Sequence, residues 1–278
     1  MHSGHEIVIA DREPAKLSNA LAAKYFSINI SCPEDLDGLM QDIDLVYHLA
    51  SNSDVRNKGA DERDTFRTTQ AVLESMRKYH VKRLVFTSSS TVYGIGDITW
   101  SENHPLKPIS EYGKAKKMSE NLIKSECIKR DLNAVILRLA NVVGEGQTRG
   151  VAVDFIRKLQ QDPTSLKIMG NGKQTKEYVH IFDVLSAMRV VTEINPSFEI
   201  YNVSSSTSLS VIEIADIICN EMGLENVEYI CEDKESGWEG DVPRYSLDTS
   251  KLKSTGWTYQ YDSISAIKSA VSHFNHLK

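Results

Sequence analysis

Short apolar runs separated by longer amphipathic stretches set the rhythm of this chain. "EIVIA" (6–10), "DLVYHLA" (44–50), "KRLVFTS" (82–88), "NAVILRL" (133–139) and "EIYNV" (199–203) are apolar on both faces. That is the pattern of strands in a parallel sheet covered by helices. Between them the period becomes helical. In 64–79, Phe66, Val72, Leu73, Met76 and Tyr79 fall roughly on one face, and in 112–128 so do Ala115, Met118, Leu122 and Ile123. Strands alternating with helices predict a doubly wound, Rossmann-like α/β fold with a parallel sheet.

After Gly144 the rhythm changes. Residues 150–160 predict a helix, and "KIMGNGKQTKEYVHIFDV" carries two glycines, a strand and Asp183 as a helix cap. Ser210 and Glu213 form an S-x-x-E capping box for a helix that stops at Gly223. One more helix is expected over about 262–275. This divides the chain into a Rossmann-like domain (1–143 and 179–203) and a smaller α/β lobe (144–178 and 204–278). The lobe is expected over the C-terminal edge of the sheet, where ligands of such folds bind.

Composition narrows the function classes. A net charge of -6 over 278 residues argues against broad nucleic-acid binding. No apolar run is long enough to cross a membrane, and no basic segment followed by an apolar one marks a leader. Cys32, Cys127, Cys219 and Cys231 lie far apart in no metal-like spacing, so no metal is expected and the thiols suit a reducing cytoplasm.

The candidate chemistry is in "EYGKAK" and "TSSSTVYG". Tyr112 and Lys116 are four residues apart, on one helical face. A lysine ammonium beside a phenol predicts a lowered tyrosine pKa and a base competent near neutral pH. Alone, Y-x-x-x-K also describes a packed tyrosine and a solvated lysine. The serine loop closes the "KRLVFTS" strand, which places the Ser89 hydroxyl at the ligand edge beside Tyr112. Strand, serine loop and Y-x-x-x-K helix in that order favour the functional reading over a loop with local backbone bonds.

With these motifs, "DLVYHLAS", "RLANVVG", "GVAVDFIRKL", "GNGKQTKEYVHIFDV" and "GDVPRYSLDTSKLKSTGW" complete a resemblance that runs from Gly4 almost to the C-terminus. The chain resembles the extended short-chain dehydrogenase/reductases, the NAD-dependent sugar-nucleotide epimerase/dehydratase family. Within it the chain is most similar to the archaeal-type UDP-glucose (UDP-galactose) 4-epimerase branch.

The resemblance implies an NAD cofactor, a UDP-hexose substrate and roles for matching residues. Tyr112 takes the sugar 4-hydroxyl proton, and Ser89 hydrogen-bonds that oxygen with Ser90 and Thr91 beside it. Lys116 binds the nicotinamide ribose. Asp11, next to Arg12, accepts from the adenosine ribose and favours NAD over NADP. Asn29 and Ile30 match the adenine-contacting pair, with asparagine where aspartate is usual. Leu49, Ala50 and Ser51 line the cofactor path. Asn141, Lys176 and Tyr178 face the diphosphate. Trp238 stands where many epimerases place a diphosphate-binding arginine, which leaves Lys176 and Arg244 as the nearest cations. Thr91 occupies the place of the acid usual in dehydratases, and Thr65 that of a usual asparagine. A homodimer through the Tyr112 helix is expected by analogy. Two alternatives stay open: another nucleotide-sugar dehydratase or reductase, and a non-catalytic homologue that binds a sugar nucleotide.

The opening "GHEIVIADR" matches the end of the family's first helix and its second strand. The first strand and glycine-rich turn find no counterpart in the sequence, and truncation is the expectation. In the family's strand order the absent strand is central. Either a gap of roughly 9–10 Å separates its two neighbours, or the sheet closes up.

Overall fold

The computed structural model describes residues 4–13, 23–51, 63–237 and 240–276. The first strands, β1 (Ile7–Asp11) and β2 (Ala23–Ser27), pair in parallel as a two-stranded sheet. The main sheet holds β3 (Val46–His48), β4 (Arg83–Ser89), β6 (Asn133–Leu139) and β10 (Phe198–Val203) in the order β10-β6-β4-β3, all parallel. Among the described residues no ladder joins β1 to β3. Among the described residues the sheet therefore does not close up between β1 and β3.

Alternation along the central strands divides the core between the two faces. Leu84 and Phe86 of β4 and Ala134 and Ile136 of β6 pack against α1 (Arg63–Lys78) and α2 (Glu111–Lys129) through Val72, Met76 and Ile123. Val85, Val135 and Leu137 face the other way, with Val184 and Val191 of α4 (Ile181–Ile194) and with Trp257. Burial on both faces explains why these strands read as continuous apolar runs.

A second body of structure lies beyond the main sheet. Strand β9 (Thr175–His180) pairs in parallel with β7 (Asn141–Val143) and antiparallel with β11 (Ser208–Ser210). Two parallel pairs flank it: β8 (Ser165–Ile168) with β12 (Glu228–Cys231), and β5 (Thr99–Trp100) with β13 (Ser246–Leu247). Its own core joins α3 (Val151–Gln161), α5 (Val211–Glu221) and α7 (Ser263–His276) around Ile156, Tyr178, Ile218 and Ile267, and a short α6 (Ser250–Lys253) follows β13.

The predicted caps fared differently. Ser210 and Glu213 make a reciprocal capping box at α5. Asp183 is not a cap. His180 holds that position, with Nδ1 accepting the Phe182 N–H at 3.3 Å. The Asp183 carboxylate lies in the first turn and accepts the N–H groups of Gln260 and Tyr261, at 2.8 and 3.1 Å, anchoring the C-terminal segment. Among the described residues no helix is long and apolar enough to cross a membrane, and no group of residues is arranged to hold a metal.

Candidate active site

Three local devices bring the serine loop and α2 together. Strand β4 ends at Ser89, whose side chain caps the 3-10 turn Ser90–Val92. Ser110 caps α2 by accepting the Gly113 N–H at 3.1 Å. Gly113 then lets the first turn of α2 lie against the loop, since a Cβ there would sit 2.7 Å from the Thr91 carbonyl oxygen. Gly94 closes the loop with φ +87, a conformation L side chains rarely adopt.

This contact brings the sequence-predicted triad into one cluster. The hydroxyls of Ser51 and Ser89 are the polar groups that act on the Tyr112 phenol. Ser51 in turn lies 3.1 Å from the hydroxyl of Thr65, which is buried on α1. Lys116 is buried, and its Nζ donates to the Thr87 carbonyl at 2.7 Å, over the Phe86 ring.

The electrostatics differ from the sequence expectation. Burial pushes the Tyr112 phenol up to about 12, opposed by the Ser51 and Ser89 hydroxyls. Lys116 is not among the groups that lower it. Its ammonium is 5.8 Å from the tyrosine ring centre, and its own pKa is pushed down to about 7 by burial, with Glu120 opposing. Two groups sharing one dry site each lean towards neutrality. Next to them His48 is held neutral, at about 3, by burial and then by the Lys116 charge.

A second polar cluster backs the first, and sequence reasoning missed it. Arg138 on β6 grips Glu120 of α2 at 2.7 and 3.1 Å, both side chains being buried. Ser88 donates to the same carboxylate at 2.5 Å. Arg138 also donates to the Tyr93 hydroxyl at 2.9 Å, and that hydroxyl donates to Asn202 on β10 at 2.7 Å. Glu120 is four residues beyond Lys116, so one further helical turn was the available clue.

Tyr245 joins this end of the main sheet to the second body. Its hydroxyl accepts the Asn141 N–H at 3.2 Å and donates to the Glu177 carbonyl at 3.2 Å. Of the residues expected near a diphosphate, Tyr178 is buried and pairs with Asn141 across the β7–β9 ladder. Lys176 is paired with the buried Asp241, which also accepts the Gly237 N–H at 3.1 Å. Arg244 is exposed, and Trp238 lies outside the described residues.

The residues expected around a dinucleotide lie at strand ends. Asp11, exposed at the end of β1, accepts the Glu13 N–H at 3.0 Å, and Arg12 is exposed beside it. The Asn29 side-chain oxygen accepts from Ser31, and Ile30 packs partly against the core. Leu49 is 53% exposed just past β3, ahead of Ala50 and Ser51. An open carboxylate, an open apolar side chain and a buried ammonium with donors to spare fit a ribose, a flat ring and a second ribose.

The chain is similar to known proteins over most of its length. A protein of Methanocaldococcus jannaschii named "Putative UDP-glucose 4-epimerase" is 32% identical, over 98% of this chain and 91% of its own length. A dTDP-glucose 4,6-dehydratase of an Actinoplanes species is 25% identical, over 80% of this chain and 70% of its own. The crystal structure of a UDP-galactose 4-epimerase, 30% identical, superposes with a TM-score of 0.83 over 99% of this chain and 92% of its own. Residues 1–204 match the family described as "NAD dependent epimerase/dehydratase family". The chain therefore belongs to the NAD-dependent epimerase/dehydratase family, as an enzyme of Rossmann-like fold whose cofactor is NAD.

Proposed function

We propose that this enzyme is a nucleotide-sugar 4-epimerase that interconverts UDP-glucose and UDP-galactose through a 4-keto sugar. The observation that carries the proposal is the cluster of the Tyr112 phenol with the Ser51 and Ser89 hydroxyls, with buried Lys116 one turn away. NAD, when bound, supplies the hydride acceptor and donor at sugar C4. Asp11, Arg12, Asn29, Ile30, Leu49, Ala50, Ser51, Tyr112 and Lys116 are the residues that would hold it.

Tyr112 takes the 4-hydroxyl proton as C4 is oxidised and returns it when the keto sugar is reduced on its opposite face. Ser89 donates to the same sugar oxygen and orients it, flanked by Ser90 and Thr91. Asn141, Lys176, Tyr178 and Arg244 serve the nucleotide diphosphate, with Lys176 leaving Asp241 to do so. Residues 1–143 and 179–203 act as the cofactor domain, and 144–178 and 204–278 as the substrate lobe. Epimerisation is favoured over dehydration because Thr91 offers no acid to expel water. We further propose a cytoplasmic homodimer through α2, whose exposed face carries Met118 and Ile128.

The test is incubation with UDP-galactose and NAD. UDP-glucose should form without net reduced cofactor. A product lighter by one water would place the enzyme among the dehydratases.

A further inference from the structure

The face of the main sheet that packs against α2 is apolar until its last step. Along β4 it runs Leu84, Phe86, Ser88, and along β6 Ala134, Ile136, Arg138. Ser88 and Arg138 are partners in the β4–β6 register, so they stand side by side, and both reach Glu120 of α2. All three residues are buried. Arg138 gives Glu120 two bonds, at 3.1 and 2.7 Å, and Ser88 gives it a third at 2.5 Å. The remaining guanidinium nitrogen donates to the Tyr93 hydroxyl at 2.9 Å and to the Glu102 carbonyl at 3.1 Å. A buried ion pair adds little net stability over an apolar pair of similar volume. What it adds is a fixed direction for the groups it holds. Here it holds the two residues that flank the serine loop. Ser88 immediately precedes Ser89, and Tyr93 immediately follows the Ser90–Val92 turn.

We infer that Arg138 and Glu120 are positioning residues, whose ion pair clamps the serine loop at both ends and fixes it against α2. Glu120 belongs to the helix that carries Tyr112 and Lys116. Lys116 repeats the grip one residue earlier on β4, where its Nζ donates to the Thr87 carbonyl at 2.7 Å. At the first turn of the same helix the Thr91 carbonyl lies close against Gly113. Loop and helix therefore cannot slide past each other without breaking a buried charged bond, and the Ser89 hydroxyl keeps one place relative to Tyr112. A sugar hydroxyl shared by these two residues must meet both at hydrogen-bond distance. A misplacement of about 1 Å costs on the order of 10²-fold in rate.

This inference rests on the proposed roles of Tyr112 and Ser89, but its first readout does not need turnover. Glu120→Met combined with Arg138→Met replaces the ion pair by apolar side chains. The double variant should keep most of the wild-type stability. It leaves Ser88 without its carboxylate and the Tyr93 hydroxyl with Asn202 alone. In hydrogen exchange the Thr91 and Tyr93 amides, both bonded within the turn, should then exchange about tenfold faster relative to those of Val85 and Phe86 in β4. In the epimerisation assay kcat should fall about 10–100-fold with KM little changed. A role in stability alone would leave the kcat of the folded protein intact. If the double variant does not fold, Ser88→Ala combined with Tyr93→Phe removes the two gripped hydroxyls and keeps the ion pair, and the same two changes are expected. Loop amides that keep their protection relative to β4 in a folded variant overturn the inference, whether or not the wild type epimerises. A loosened loop with unchanged kcat overturns it as well. A loosened loop with no epimerase activity in any protein, wild type included, would uphold the clamp and refute only the epimerase reading.

Discussion

Lys116 and Tyr112 stand one helical turn apart, and burial drives both towards the neutral form. For Lys116 this has a consequence for stability. Its pKa falls from 10.5 to about 7 on folding, so between those values the unfolded chain binds more protons than the native one. Stability therefore rises with pH across that window, and the cost of burying the ammonium is fully present below about 7. Lys116→Met removes the titrating group. Urea melts of the two proteins from about pH 6 to 10 should show wild type gaining on the variant as pH rises. Parallel curves would mean that Lys116 stays charged in the native state throughout. Sequence spacing revealed this pair but not its protonation, because spacing carries no information on how much water a folded site admits.

At the scale of elements, the Arg138–Glu120 pair ties β6 to α2 behind the Tyr112 cluster, and Tyr93 and Asn202 extend the tie to β10. Breaking one half leaves a buried, uncompensated guanidinium. Glu120→Ala should cost about 3–5 kcal/mol in denaturant melts, while replacing both partners with methionine should recover most of it. Equal losses in the single and double variants would show that the pair is dispensable and that only the volume matters. None of this pairing was legible in the sequence, since the partners lie 18 and 109 residues apart and meet only through strand order. The elements themselves were partly legible. Strand β6 matches its apolar run, 133–139, because both of its faces are covered. The "AKYFS" strand β2 escaped because five residues with two exposed aromatic and lysine positions carry no such run. Likewise β8 and β12 are four-residue pairs that exist through each other. The serine loop and the Tyr112 helix stood out because their chemistry is local, whereas Tyr245, which joins both halves of the site, is set there by the second body of structure.

At the scale of the whole molecule, the described sheet is in two parts. The β1–β2 pair carries Asp11, Asn29 and Ile30, and the four-stranded sheet carries Ser89 and supports Tyr112. A two-stranded parallel pair with partly exposed strands is a weak cooperative unit. In native-state hydrogen exchange, β1 and β2 amides should exchange at least ~10-fold faster than those of β4 and β6. NAD, which on the proposed site would span both parts, should narrow that difference; equal protection without cofactor would mean that the two parts already behave as one. All of these properties bear on the proposed acid-base centre in α2, and its test is the turnover of UDP-galactose by wild type and Tyr112→Phe, with binding of NAD and UDP-glucose measured on both. The account predicts a loss of about 10²–10⁴ in kcat with both affinities nearly unchanged; turnover close to wild type in the phenylalanine variant would contradict it.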